Sequence, residues 1–97
     1  IKHHALPFEL DGENGWIINA GRLFASEIGN ELAKINNSFA IVWTLTDKKK
    51  ISCSVRSVEG SSAQTIAEKF GGGGHKHASK FVMNPEIFFS TILSQIK

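Results

Sequence analysis

The stretch Lys69-Phe70-Gly71-Gly72-Gly73-Gly74-His75-Lys76-His77 places four consecutive glycines before two histidines and a lysine. Ordering a run of glycines is entropically costly, so such a run is expected where side chains would obstruct something or where φ must be positive. Successive backbone N–H groups in such a turn can converge on an anion, and His75, Lys76 and His77 can add positive charge beside it. The run therefore predicts a phosphate or carboxylate site. A flexible linker, or a helix C-cap with surplus glycine, is the alternative interpretation.

The residues before the glycines predict a helix. Its apolar residues recur at helical spacing and form one stripe, made of Ala63, Ile66, Ala67 and Phe70. Ser61 and Gln64 resemble a capping box at the start of this helix, with Ser61 as the N-cap. Gly71 suits the left-handed position that follows its end. The first glycine thus has a structural explanation from the sequence alone, and the next three do not.

Upstream of this helix, residues 39–46 and 51–58 alternate apolar and small or polar side chains, which predicts two strands joined by a short charged hairpin at 47–50. In the second strand, one face is apolar and the other carries hydroxyls and a guanidinium: Ile51, Cys53 and Val55 against Ser52, Ser54 and Arg56. A guanidinium beside hydroxyls suits bidentate recognition of phosphate or carboxylate. Arg56 and Ser57 are therefore candidate ligand-binding residues, and a solvent-exposed strand arginine is the alternative.

The remaining segments predict further elements. Short apolar runs predict strands at residues 16–20 and 81–83, and helical spacing predicts a helix over 26–36 with Ser26 as its N-cap. A last helix is predicted from an N-cap, a proline at N1 and an apolar stripe: Asn84, Pro85, Phe89, Ile92, Leu93 and Ile96.

This order of elements predicts an α/β fold, with a mixed sheet of about four to five strands packed by about three helices. Residues 15–97 are expected to form one small domain. Residues 1–14 show no clear periodicity and are expected to be a lead-in or a linker from an upstream domain. The chain begins at Ile1 and its sole methionine is Met83, so part of the functional machinery is expected upstream.

Composition bounds the classes of function. The chain has 97 residues, and its formal charge of +2 is too mild for a general nucleic-acid or membrane surface. The single cysteine excludes an internal disulfide framework and a cysteine zinc cluster, and no signal peptide or transmembrane span is visible. We therefore expect a cytoplasmic protein without membrane contact, in which any anion site is local.

Known phosphate loops and metal sites fit the sequence poorly. A Walker A loop would need Gly-Lys-Ser or Gly-Lys-Thr, and a dinucleotide fingerprint would need a third glycine at position 76. His75 and His77, with His3 or His4, are the candidates for a metal site, but no cysteine or nearby carboxylate accompanies them. Cys53 falls on the apolar face of its strand and is predicted to be a core residue. No catalytic residue, metal site or cofactor is predicted in this chain.

Two motifs together resemble a known family. The segment Ser54-Val55-Arg56-Ser57, followed by Ile66 to Ala78 with its run of four glycines and a histidine, is similar to the C-terminal DHH-associated domain of the DHH phosphoesterase superfamily. Residues 26–33 and 39–43 are similar to that domain's first helix and strand. The resemblance covers about residues 15 to 83, and its most specific part is the glycine-histidine motif.

The resemblance implies a substrate-binding role. In this superfamily an N-terminal DHH domain carries aspartates and histidines that bind Mn²⁺ (or Mg²⁺) and activate water, while the associated domain holds a short oligonucleotide or a small phosphorylated nucleotide. By implication the substrate-binding residues are Arg56, Ser57, Gly71, Gly72, Gly73, Gly74 and His75. The partner would be an upstream DHH domain in the same parent chain. This chain departs from the family pattern at Lys80, where a glycine is usual, and Lys80 adds a charge near the site.

A second reading remains open at the level of the sequence. Related domains lie at the C-terminal end of alanyl-tRNA synthetases, so a non-catalytic nucleic-acid-binding module is the alternative function.

Overall fold

A computed structural model describes residues 4–96 and shows strands and helices alternating along the chain. The strands are β1 (Leu6–Leu10), β2 (Glu13–Asn19), β3 (Phe39–Leu45), β4 (Ile51–Ser57), β5 (Gly73–His75) and β6 (Ala78–Met83). The helices are α1 (Ala25–Asn36), α2 (Ala63–Lys69) and α3 (Pro85–Ile87). A 3₁₀ turn at Arg22–Phe24 precedes α1, and α3 continues through a π-helical turn at Phe88–Ile92 and a 3₁₀ turn at Leu93–Gln95. None of these helices is long and apolar enough to cross a membrane.

The six strands form one mixed sheet in the order β1-β2-β3-β4-β6-β5. Strands β2 and β3 are parallel because α1 carries the chain back between them, and every other neighbouring pair is antiparallel. The predicted α/β fold is confirmed, and the charged segment 47–50 is the hairpin turn between β3 and β4. The sheet has more strands than expected because β1 and β5 were not predicted.

Helices cover the two faces of the sheet and create two apolar clusters. On one face α1 packs on β2 and β3 through a cluster that contains Leu32, Ala33 and Val42. On the other face α2 and the C-terminal turns bury the larger cluster, which contains Phe39, Cys53, Val55, Ile66, Phe81 and Phe88. Cys53 and Arg56 lie on opposite faces of β4, as the alternation in the sequence predicted. Cys53 faces α2 and Arg56 faces α1.

Strand β1 lies within the segment that we expected to be a lead-in. Its Phe8 is 1% exposed and packs edge-on against Phe39, with 6.1 Å between ring centroids. Pro7 weakened the strand signal, but proline is tolerated because β1 is at the edge of the sheet. Residues 6–10 are thus part of the folded core and not only a connection to it.

Two expectations about helix ends and one about an apolar stripe were wrong. The N-cap of α1 is Phe24, and Ser26 lies inside its first turn. The N-cap of α2 is Ser62, whose Oγ accepts the Thr65 N–H at 3.1 Å, because the helix begins one residue later than predicted. In the C-terminal segment Phe88 is buried while Phe89 is 52% exposed, since π-helical and 3₁₀ turns replace the regular α-helical period. Asn84 and Pro85 occupy the predicted N-cap and N1 positions.

Candidate functional site

The glycine run is divided between a helix cap and a strand. The Gly71 N–H donates to the Glu68 carbonyl at 3.2 Å, and the Gly72 N–H donates to the Ala67 carbonyl at 2.9 Å. With Gly71 at φ +84°, this is the Schellman motif that ends α2. The predicted left-handed cap at Gly71 is confirmed. Both N–H groups have partners within the protein, so neither is directed at a ligand.

Gly72 and Gly74 allow the backbone to pass close to β6. A Cβ on Gly72 would lie 2.1 Å from the Lys80 carbonyl oxygen, and a Cβ on Gly74 would lie 2.9 Å from the Ala78 carbonyl oxygen. Gly74 also has φ +147°, which disfavours any residue with a side chain. These two glycines are therefore required by the packing of β5 on β6.

Gly73 is the glycine of the run that this packing does not explain. Its φ is not positive, and a Cβ built on it would meet nothing within 4 Å. Gly73 pairs with Lys80 in the β5–β6 ladder, and the space in front of Gly73 is open. A glycine here keeps that space free of a side chain, as the close approach of a ligand would require.

Arg56 lies at the junction of β4 and α1. Its Nη2 donates to Ser26 Oγ at 2.8 Å, and its Nη1 donates to the Val55 carbonyl at 3.0 Å. A Cβ on Gly29 would lie 2.8 Å from the Arg56 Cγ, so the glycine in the middle of α1 makes room for this side chain. The sequence did not predict the contacts of Arg56 with Ser26 and Gly29. A glycine inside a predicted helix is nevertheless a signal that another group packs closely there.

Strand register brings His75 into the same row as Arg56. Arg56 pairs with Ala78 of β6, and Ala78 pairs with His75 of β5, so the three side chains project from one face. Neighbouring strands are about 4.8 Å apart, which puts the Cα atoms of Arg56 and His75 about 10 Å apart with only a methyl group between them. His75 is exposed, and within residues 4–96 its ring has no hydrogen bond or ion pair.

The next row along the strands carries Lys80. It pairs with Ser54 on one side and Gly73 on the other, and its side chain is exposed. Because α2 packs on the opposite face, these two rows form an uncovered surface beside α1, which we call the open face. The open face consists of Ser54, Arg56, Gly73, His75, Ala78 and Lys80.

Ser57 lies on the face opposite to Arg56, where it is buried. Its Oγ accepts the Ala63 N–H at 3.0 Å and lies 2.8 Å from His77 Nδ1. These contacts connect the end of β4, the start of α2 and the β5–β6 turn. The structure therefore does not bring Ser57 together with Arg56 and His75, and it gives the hydroxyl a structural role.

The N-terminal N–H groups of α2 are also occupied by internal partners. Ala63 donates to Ser57, Gln64 donates to the Lys76 carbonyl at 3.2 Å, and Thr65 donates to Ser62. A cavity of about 500 Å³ lies beside this end of α2, on the face opposite to Arg56. Its lining mixes acidic and basic side chains, and Lys69 forms an ion pair with Asp11 there. These mixed charges make the cavity less favourable for an anion than the open face.

No group of three or more His, Cys, Asp and Glu side chains within residues 4–96 could hold a metal ion. The His77 ring contacts Ser57 and lies 3.8 Å from a Glu59 carboxylate oxygen, so it belongs to the turn and not to the open face. The proposed contribution of His3 to a metal site lies outside the described residues. Burial raises the pKa of the Cys53 thiol to about 12, which keeps it protonated and makes it a poor nucleophile.

Comparison with known proteins identifies a family. The family model of the DHHA1 domain matches residues 18–97, which is most of the chain. The match begins within β2 and includes all residues of the open face. A search among curated proteins found no match.

Proposed function

Since the chain belongs to the DHHA1 domain family, the C-terminal domain associated with DHH phosphoesterases, we propose that its open face holds the phosphate end of a nucleotide or short oligonucleotide substrate. The observation that supports this most directly is the register of β4, β6 and β5. It places Arg56 and His75 in one row on an uncovered surface. We expect an anion beside Ala78 to contact both side chains.

The two side chains would bind the phosphate in different ways. Arg56 is held by Ser26 and by the Val55 carbonyl, so its orientation is fixed before the substrate arrives and little side-chain entropy is lost on binding. A guanidinium also presents several N–H groups in one plane, which suits two phosphate oxygens at once. His75 would donate a hydrogen bond to a further oxygen. Gly73 would allow the substrate to lie close to the backbone of β5.

In this proposal the chain binds and orients the substrate, and it supplies no nucleophile. The DHH domain that accompanies DHHA1 domains would hold the Mn²⁺ or Mg²⁺ ions that activate water for hydrolysis of the phosphate ester. Among the predicted binding residues, we assign substrate contact to Arg56, Gly73 and His75. Ser57, Gly71, Gly72 and Gly74 would act indirectly, because their geometry positions the strands and the turn.

Titration calorimetry with 5′-phosphorylated diadenylate tests this assignment. Arg56→Gln should raise the Kd about tenfold or more, because hydrogen bonds to charged groups contribute about 1.5–3 kcal/mol. His75→Gln should raise the Kd several-fold. Lys76→Gln is the matched control, since Lys76 is next in sequence but lies in the turn and lines the cavity on the α2 side. It should change the Kd less than about twofold.

The same variants should lower Mn²⁺-dependent hydrolysis by the parent protein. The assignment would be refuted by wild-type affinity and wild-type turnover in both the Arg56 and the His75 variant. Circular dichroism of each variant would confirm that the fold is intact, as expected for exposed or half-buried side chains.

A further inference from the structure

Lys80 is the one cation of the open face that the proposed phosphate site does not use. It is exposed, and within residues 4–96 its ammonium group has no hydrogen bond or ion pair. Its neighbours in the row are the hydroxyl of Ser54 and the bare backbone of Gly73. No acidic residue lies on this face of β4, β5 or β6, where the register places Ser52, Ser54, Arg56, Gly73, His75, Ala78, Lys80 and Val82.

The guanidinium of Arg56 extends toward the Lys80 row. Helix α1 joins the parallel strands β2 and β3, so it runs opposite to both of them. Because β4 is antiparallel to β3, α1 and β4 run in the same direction. Arg56 passes over Gly29 and ends at Ser26, which is one turn earlier in α1. Its head group is therefore tilted from its own row toward the Ser54 end of β4. The two positive groups therefore lie on the same side of the sheet, where the lack of an acidic residue on these three strands raises the local affinity for anions.

The spacing of the two rows indicates how the anions are arranged. Ala78 and Lys80 are two residues apart on β6, which corresponds to about 7 Å. This spacing suits neighbouring phosphates of an extended polynucleotide better than the two adjoining phosphorus atoms of a diphosphate. Gly73 leaves room for the substrate chain beside Lys80, because no side chain projects from its position in that row.

We propose that Lys80 binds a second phosphate of the substrate, the phosphodiester one nucleotide away from the phosphate held by Arg56 and His75. This inference rests on the proposed function and refines its substrate class. The site would favour oligonucleotides with at least two phosphates over nucleotides with a single phosphate. Lys80 is then a specificity-determining residue and not a catalytic one.

Calorimetry with three probes tests this inference: adenosine 5′-monophosphate, adenosine 5′-diphosphate and 5′-phosphorylated diadenylate. Lys80→Gln should raise the Kd for the diadenylate about fivefold at low salt, and the Kd for the two mononucleotides less than about twofold. The slope of log K against log salt concentration for the diadenylate should become shallower by about 0.7, the value for one phosphate of a single strand. Lys80→Arg should restore most of the affinity, and Lys76→Gln should change neither affinity nor slope.

The outcomes separate this inference from the proposed function. Equal effects of Lys80→Gln on all three probes, or no effect on any of them, would overturn the second-phosphate role while leaving the Arg56 and His75 site intact. A loss for the diphosphate as large as that for the diadenylate would overturn the assignment to a phosphodiester. Failure of the wild-type chain to bind the diadenylate at all would refute both proposals.

Discussion

Individual residues of the glycine run have different physical roles although they are identical in the sequence. Gly71 closes the cap of α2, Gly72 and Gly74 pass close to the backbone of β6, and Gly73 faces open space. The sequence predicted the role of Gly71 because the preceding apolar stripe ends there. The roles of the next three depend on how each is placed relative to β6, and a run of identical residues does not show this placement.

Substitution of adjacent glycines should separate folding from binding. Gly72→Ala should lower the free energy of unfolding by about 2–3 kcal/mol, because its Cβ would collide with the Lys80 carbonyl oxygen. Gly73→Ala should leave it unchanged or raise it by up to about 1 kcal/mol, and should weaken binding of the diadenylate several-fold. Urea unfolding and calorimetry on the two variants measure both effects. Equal destabilisation by the two alanines would contradict these roles.

Among the elements, the short edge strands were the hardest to predict. Strand β5 has three residues, two of them glycine, so it offers no alternation of side chains to read. Strand β1 has Pro7 within five residues. The longer elements β3, β4 and α1 were predicted to within one residue at each end, because each buries a regular apolar pattern over several residues.

Removing the aromatic ring from β1 should show that this strand is part of the core. Phe8→Ala should lower the free energy of unfolding by about 3–5 kcal/mol, because the ring is 1% exposed and packs against Phe39. Leu6→Ala on the same strand is the control, since Leu6 is 49% exposed, and it should cost less than about 1 kcal/mol. Urea unfolding measures both. A Phe8 variant as stable as the Leu6 variant would assign residues 6–10 to a peripheral segment.

At the scale of the whole molecule, the sheet separates a buried core from the open face. Cys53 and Arg56 are close in sequence but project from opposite faces of β4, one toward α2 and the other toward α1. The thiol is consequently 0% exposed, and burial raises its pKa from 9.0 to about 12.

This shift predicts how stability responds to alkaline pH. The unfolded thiol ionises near pH 9, whereas the folded thiol keeps its proton until about pH 12. The contribution of the protonated thiol to the free energy of unfolding is therefore fully present below pH 9 and is lost as the pH rises through the folded pKa. The stability difference between the wild-type chain and Cys53→Ala should therefore shrink above pH 9, by at most about 1.4 kcal/mol per pH unit. Urea unfolding under reducing conditions at pH 8, 9 and 10 measures this difference. A difference that stays constant from pH 8 to pH 10 would argue against the raised pKa.

The sequence by itself determined the main secondary structure, the α/β class and the faces of β4, because apolar alternation with a period of two or 3.6 is a local property. It also identified Arg56, His75 and Lys80 as basic residues near a glycine-rich turn. Only the tertiary structure decided that β6 lies between β4 and β5, which aligns Arg56 with His75 and sends Ser57 to the opposite face. The physical reason is that a side-chain pattern fixes which face a residue occupies, whereas strand neighbours and register depend on contacts between segments far apart in the chain.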